Sequence, residues 1–380
     1  MLFLERRTAM AAISVLSLNE FELWKEKLSR LPFSQQDVYF TPEYYSLYQN
    51  YGDGEALCFV YEKDGEIVLY PFLRNPIKVL GYKLPKEYYD IQGAYGYNGI
   101  VVSSNSTELI ESFWFDFNQW CLDTDVVAEF SRFHPLLNNH ILASPQMKTF
   151  FSRHTVTLDL TNEDIWMHQI SSKNRNMIRK AEKEGVTIIE SDDYETFRKL
   201  YNGTMSDLHA DDFYFFPSEY YNEYKQTFKD KSLLCFAIYE GKVIAGSMFM
   251  FSADYAHYHL SARDRNYSRY AANNLILWYG IQKAKERGCK WFHFGGGTTG
   301  DENDTLLKFK REFSKTVGEF WIGKRVHNNI VYNSIIDQWK KNFPIQWAEN
   351  NNRLLGYRND IGFVSREARY EARCCTSAAE

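Results

Sequence analysis

The chain has 380 residues, of which 44% are hydrophobic and 24% charged, and carries a net charge of −5 at neutral pH. That length suits two domains better than one core, and the acidic balance excludes general nucleic-acid coating, which needs a basic domain. The six cysteines, at 58, 121, 235, 289, 374 and 375, show no CxxC pair and no metal spacing, so buried reduced thiols are expected, with no disulfide framework and no zinc site.

Along the chain, a strand from Ala12 to Leu18 is followed by a helix over Phe21 to Leu28. Thr41 as N-cap and Pro42 at the first helical position open a second helix through Tyr48. An apolar run, Leu57 to Tyr61, turns at Gly65 into Ile67 to Phe72 and predicts a β-hairpin. The loop Tyr95-Gly96-Tyr97-Asn98-Gly99, a helix over Glu108 to Leu122 and a strand over Val126 to Phe130 follow, with Arg132 and His134 at the strand's end. A second unit begins with Val156 to Leu160, then a basic helix from Ser172 to Glu184 stopped by Gly185, and a helix over Tyr194 to His209.

The hairpin then recurs, as Leu234 to Tyr239 turning at Gly241 into Val243 to Phe251. A strand over His257 to Ser261, a helix from Ala271 to Gly288 and a strand over Trp291 to Phe294 complete the echo of the first unit. Ile335 to Trp347 is one more amphipathic stretch, and the tail from Arg366 reads as a surface helix or frayed end. The expected fold class is α/β, two tandem units each with a mixed, mostly antiparallel sheet flanked by helices. The expected domains are 12–153 and 154–345, with an extension over 346–380, and a cleft between the units is the natural place for chemistry. No basic region followed by a long apolar core opens the chain, and no membrane-length run lacks charge, so a cytoplasmic protein without a transmembrane segment is expected.

Four segments carry candidate chemistry. The basic helix sets Arg175 and Arg179 four apart and Lys173 and Lys180 seven apart, which suits either a solvated face or a phosphate-contacting surface. Gly295-Gly296-Gly297 after a strand allows close backbone approach to a ligand, or makes a plain wide turn. Asp207, Asp211 and Asp212 precede the aromatic run Phe213 to Phe216, where a carboxylate can accept a proton or simply end a helix. His257 and His259 alternate on one strand as base or groove lining. No Walker loop, zinc signature, Ser/His/Asp arrangement or dinucleotide fingerprint is present.

Taken in order, Phe40-Thr41-Pro42-Glu43-Tyr44, Tyr95 to Gly99, Arg132-Phe133-His134-Pro135, Ser172 to Gly185, Asp212-Phe213-Tyr214-Phe215, Phe294-Gly295-Gly296-Gly297 and Leu307-Lys308-Phe309-Lys310 resemble the FemAB-like branch of the GNAT acyltransferase superfamily. The resemblance implies two tandem GNAT domains. It also implies transfer of an acyl or aminoacyl group to an amine of a cell-envelope or surface-glycan precursor, such as a peptidoglycan precursor or another phosphate-bearing sugar. The donor would be aminoacyl-tRNA or acyl-CoA, with no bound cofactor and no DNA partner. Phe309 and Lys310 then match the transfer site, with Lys310 holding the oxyanion, and Asp212 or His259 would accept the proton. Arg175 or Arg179, with Lys173, matches the phosphate contact, and Tyr95, Tyr97, Arg132, His134, Tyr214, Gly295, Gly296 and Gly297 become candidate substrate contacts. Two departures stand out. Arg269-Tyr270-Ala271-Ala272-Asn273-Asn274 lacks the glycines of the usual CoA-binding turn, and the helical arm of the staphylococcal bridge enzymes is absent. A catalytically silent glycan- or nucleotide-binding protein that keeps the fold is the alternative reading.

Overall fold

The computed structural model describes residues 11–144, 146–210 and 214–358. In chain order, the first elements are β1 (Ala12–Ser17), α1 (Phe21–Ser29), α2 (Pro42–Asn50), β2 (Glu55–Lys63), β3 (Glu66–Pro76), β4 (Tyr89–Gln92), β5 (Val101–Val102), α3 (Thr107–Asp123), β6 (Val126–Arg132) and α4 (His140–Ala143). After β7 (Lys148–Asp159) come α5 (Ile165–His168), α6 (Ser172–Lys183), β8 (Thr187–Ser191), α7 (Tyr194–Asp207), α8 (Ser218–Thr227), β9 (Ser232–Tyr239), β10 (Lys242–Ser252) and β11 (Tyr255–Arg263). Then follow α9 (Ala272–Glu286), β12 (Trp291–Gly296), α10 (Thr305–Arg311), β13 (Val317–Val326), α11 (Asn329–Asn342) and α12 (Pro344–Asn350).

The chain forms two compact units, one from Ser152 to Phe320 and the other from the segments before and after it. Each contains the same sheet. In the outer unit β1, β2, β3 and β4 are antiparallel neighbours and β4 pairs in parallel with β6. In the inserted unit β8, β9, β10 and β11 are antiparallel neighbours and β11 pairs in parallel with β12. A further antiparallel strand closes each series, β13 from Ile322 onward beside β6 and β7 beside β12. The repeated hairpins turn on Asp64-Gly65 and Glu240-Gly241, all four at positive φ, which is the two-residue turn whose twist matches paired strands.

Amphipathic helices cover each sheet as the periodicity predicts. Helix α3 buries Phe113, Trp114 and Phe117 against Phe59, Tyr70 and Phe72. Helix α9 buries Leu277, Ile281 and Ala284 with Phe249 and Phe292 of its own sheet. Cys58, Cys121, Cys235 and Cys289 are buried free thiols, and burial pushes the first three well above the ordinary thiol range. Cys374, Cys375 and the tail from Arg366 lie outside the described residues.

Three expectations change. The second domain was expected to reach residue 345, yet the chain rejoins the outer unit at Trp321. The cause is a second apolar cluster in which Ile335 and Trp339 of α11 bury themselves with Val127, Tyr82 and Tyr357, pinned by Tyr357 and Arg358 hydrogen bonds to the buried Asp90. The single stretch Ile335 to Trp347 is two helices, because Pro344 cannot continue α11 and instead opens α12. Helix α8 was not foreseen: its buried face is Tyr220, Tyr221 and Tyr224, which gives little apolar periodicity. No helix among the described residues is long and apolar enough to cross a membrane.

Candidate active site

Strands β11 and β12 pair from Tyr255/Trp291 to His257/His293 and then part. At the same point the β12 register against β7 shifts between His293 and Gly295, and Gly295 takes a left-handed φ of +75°, so a bulge bends the strand away. Lys310 of α10 fills the gap. Its Nζ donates to Gly296 O at 2.6 Å and lies 5.9 Å above the Tyr258 ring centre on β11. The residue is only 6% exposed, and burial draws its pKa down to about 7, the Asp304 carboxylate pulling upward and the Arg153 guanidinium downward. One of the three ammonium donors is spent on Gly296, which leaves two for a ligand oxygen.

The glycines are required by close approach. A Cβ on Gly297 would meet Asp304 Oδ1 at 2.5 Å, and one on Gly296 would meet His154 O at 2.9 Å. Asp304 organises this loop. Its Oδ1 accepts from Leu306 N and Leu307 N, both at 2.9 Å, and caps α10. Its Oδ2 accepts from Thr298 N at 3.0 Å and Thr299 N at 3.1 Å, and from the hydroxyls of both threonines. Burial alone would raise this carboxyl, but those hydrogen bonds outweigh it and hold the group well below the carboxylate range. Arg153 Nη1 ties the same loop to β7 through Gly297 O and Thr298 O, each at 3.0 Å.

An acetyltransferase (GNAT) domain model matches residues 171–311, which span α6 to α10 and include Lys310 and the glycine loop. Residues 171–311 are thus similar to an acetyltransferase (GNAT) domain. FemX has the same tandem fold with a TM-score of 0.61 at 15% identity, covering 85% of this chain and 99% of FemX. L-PGS from Bacillus licheniformis aligns with a TM-score of 0.51 at 14% identity, over 83% of this chain and 94% of its own. The C-terminal domain of a putative lysylphosphatidylglycerol synthetase from Agrobacterium fabrum gives 0.50 at 14% identity, over 81% and 93%. No curated protein sequence matches the chain. The fold is the two-unit α/β architecture shared with FemX, as the motifs imply.

Within the acyltransferase domain, Phe309 is half-buried and meets Phe313 edge to face at 5.6 Å, so it fixes α10 beside Lys310. His259 belongs to a different environment: it stacks on Tyr224 at 5.8 Å and lies 3.4 Å from Tyr220 OH, both on α8. Burial, with His257 beside it, lowers its pKa to about 3, which makes it a weak proton acceptor at neutral pH. Asp211, Asp212 and Phe213 lie outside the described residues. Tyr214 is exposed.

The basic helix departs most from expectation. Arg175 Nη1 donates to the carbonyls of Trp166, Met167 and Ile170, and its Nη2 to Ser172 Oγ. Its guanidinium therefore caps the end of α5 and is not a fork held open for phosphate. Arg179 sits 5.4 Å over the Trp166 ring, and Lys173, 77% exposed at its side chain, pairs with Glu312 at 3.1 Å. We expect Arg175→Met to lower unit stability by about 1 kcal/mol, because partly buried carbonyls at the end of α5 lose a charged donor, with the change read as a denaturation midpoint. Undiminished stability together with weakened phosphate binding would return Arg175 to the ligand-contact role.

At the CoA-type turn, Ala271 caps α9 at a φ of +53° with no side-chain cap. Helix α6 packs onto this start: Asn274 Nδ2 donates to Asn174 Oδ1 at 2.6 Å and Lys180 Nζ to Arg269 O at 2.8 Å.

The remaining candidates form a network in the outer unit. Asp37 and His134 are both fully buried. The Leu136 N–H donates to His134 Nδ1 at 3.2 Å, so Nε2 carries the proton and donates to Asp37 Oδ2 at 2.6 Å. Tyr97 meets the His134 ring at 5.5 Å and Tyr39 at 5.2 Å, and Tyr95 O accepts from Tyr44 OH at 2.6 Å. Sequence reasoning missed Asp37 and Asp304. The signal for Asp304 was its place one residue before the Thr305 helix, the ordinary position of an N-cap.

Proposed function

We propose that the protein transfers an acyl or aminoacyl group to an amino group of a cell-envelope precursor, a phosphate-bearing sugar or peptide-bearing peptidoglycan intermediate. The observation that carries this is the buried Lys310 side chain, held on Gly296 O at the parting of β11 and β12 inside a matched acyltransferase domain. The acceptor nitrogen attacks the carbonyl carbon of an activated ester or thioester, and the new C–N bond forms as the carbonyl oxygen gains charge. Lys310 donates to that oxyanion. The C–O or C–S bond then breaks, releasing the donor's hydroxyl or thiol, while the ammonium proton leaves to water or the departing group.

The reading favours an aminoacyl ester donor. The turn that would receive a CoA pyrophosphate is engaged by α6 through Asn174 and Lys180. The name of the Agrobacterium fabrum neighbour, a putative lysylphosphatidylglycerol synthetase, supports an aminoacyl donor and an envelope or lipid target. The test is a transfer assay with bulk aminoacyl-tRNA and, beside it, acetyl-CoA, each given a nucleotide-linked muramyl peptide as acceptor. Salt-sensitive tRNA binding with amide formation is expected. Consumption of acetyl-CoA alone would reverse the donor assignment, and no amide from either donor would overturn the reading.

A further inference from the structure

Two stretches far apart in sequence, both in the outer unit, meet at the cluster around Trp339. One is the loop after β3, from Lys78 to Lys86, and the other is the corner between α11 and α12. Ile77 and Tyr82 are buried in the cluster, and Leu80 and Leu84 of the loop pack half-buried against it, as do Phe343 and Trp347 of the corner. Gln338 fastens the two stretches together: its Oε1 accepts from Lys83 N at 2.8 Å and its Nε2 donates to Lys83 O at 3.2 Å. Backbone groups thus hold the loop to the helix, while Val79 of the loop and Ile345 of α12 are each 71% exposed.

Charge says what such a surface suits. Residues 78–86 carry three lysines and no acid, and residues 337–353 carry Lys340, Lys341 and Arg353 against Asp337 and Glu349, in a chain whose net charge is −5. Lys86 pairs with Asp125 at 2.7 Å, and the other five cations are exposed. Glu87, the acid that follows the loop, turns its carboxylate onto the Lys78 N–H at 3.0 Å and the Tyr88 N–H at 3.2 Å. Lys340 Nζ lies 4.6 Å over the Trp347 ring, a cation and an indole side by side as in an interfacial anchor. A second exposed apolar pair in the same unit shows the contrast. Phe115 and Leu122 of α3 share their helix with Glu108, Glu111, Asp116 and Asp123 and with no basic residue, a pattern that an anionic surface repels.

We propose that loop 78–86 and the α11–α12 corner form a docking face for the surface of an anionic lipid bilayer. Val79 and Ile345 enter the headgroup boundary with Trp347 at its level, and the lysines meet lipid phosphates. So few apolar side chains bind weakly by themselves, and the cations make attachment selective for anionic lipid and reversible by salt. In the proposed reaction the face would carry the enzyme to an acceptor tethered in the membrane. The inference rests on that reading only for the purpose of docking, not for docking itself.

The test is co-sedimentation of the full chain with vesicles of phosphatidylcholine alone and with vesicles that also hold about 30% phosphatidylglycerol, in the absence of donor and acceptor. Binding to the anionic vesicles alone is expected, weakening about ten-fold or more between about 0.1 and 0.5 M salt. Lys78→Gln with Lys83→Gln, and separately Val79→Asp with Ile345→Asp, should each weaken it about ten-fold or more. Phe115→Asp should bind as the parent does, which ties the effect to this face. Lys310→Met should also bind as the parent does, which separates this result from failure of the transfer reading. No binding to anionic vesicles, equal binding to both kinds, or unchanged binding in either double variant overturns the proposal. A parent that is dimeric in solution and becomes monomeric in Val79→Asp with Ile345→Asp gives the face to a second copy of the chain and overturns it as well. Should that acidic pair fail to fold, the lysine pair decides.

Discussion

Lys310→Met is expected to slow transfer about 100-fold or more while the fold persists, because one preorganised donor to a developing oxyanion contributes about 3 kcal/mol. Met keeps the length and apolar stem and removes only the charge and the Gly296 hydrogen bond. The pKa near 7 sharpens the expectation. A resting lysine divided between its two forms at neutral pH gains its proton fully only as negative charge grows beside it, which is the difference between ground and transition states that accelerates a reaction. The rate should therefore fall as pH rises above about 7, and that descending limb should vanish in Lys310→Arg, whose side chain stays charged. A Lys310→Met enzyme with parental turnover would remove Lys310 from the chemistry.

The same substitution should stabilise the protein. The folded pKa lies below the unfolded one, so the unfolded chain binds more protons between about pH 7 and 10.5 and stability rises with pH through that window. Below pH 7 the full cost of burying the charge is present, and a drop from 10.5 to about 7 bounds it at about 5 kcal/mol. The melting temperature of Lys310→Met should exceed the parent's most at pH 6 and converge with it in alkali. Opposite movement of activity and stability is the signature of a residue kept for chemistry.

Much of the fold was legible because it is written in local signals. Asp64-Gly65 and Glu240-Gly241 announce their hairpins, and Gly185 and Gly288 stop α6 and α9 at left-handed positions. Those signals were enough to reveal the duplication. What stayed hidden depends on partners distant in sequence. Arg175 looked like a phosphate fork because nothing in its own helix shows that the carbonyls of Trp166 and Ile170 fold back to meet it. The end of the second unit was misplaced because the pull on residues 331 to 358 comes from Val127, Tyr82 and Asp90, more than two hundred positions earlier in chain order. Lys310 was found through its motif, but its burial could not be read from a cluster that also holds Lys308 and Arg311, of which only Lys310 is buried.

Asp304→Asn is the second large effect, and it should cost about 2–4 kcal/mol, the range for leaving several buried donors unmatched around one lost charge. The carboxylate accepts on both oxygens, from two backbone N–H groups of α10 on one side and from Thr298 and Thr299 on the other. An amide turns one of those oxygens into a donor that faces N–H groups whichever way it is placed, so the isosteric change should cost nearly as much as Asp304→Ala. The difference from the parent should be present throughout the neutral range. It should shrink only as pH falls below about 4 toward the depressed folded value, where the parent carboxylate itself is protonated. Activity should fall at temperatures where the variant remains folded, since α10 carries Lys310 and the loop carries its Gly296 partner, and this one carboxylate sets the distance between them. A variant that melts early yet transfers at the parental rate below its transition would show that Asp304 holds the loop without aligning the lysine.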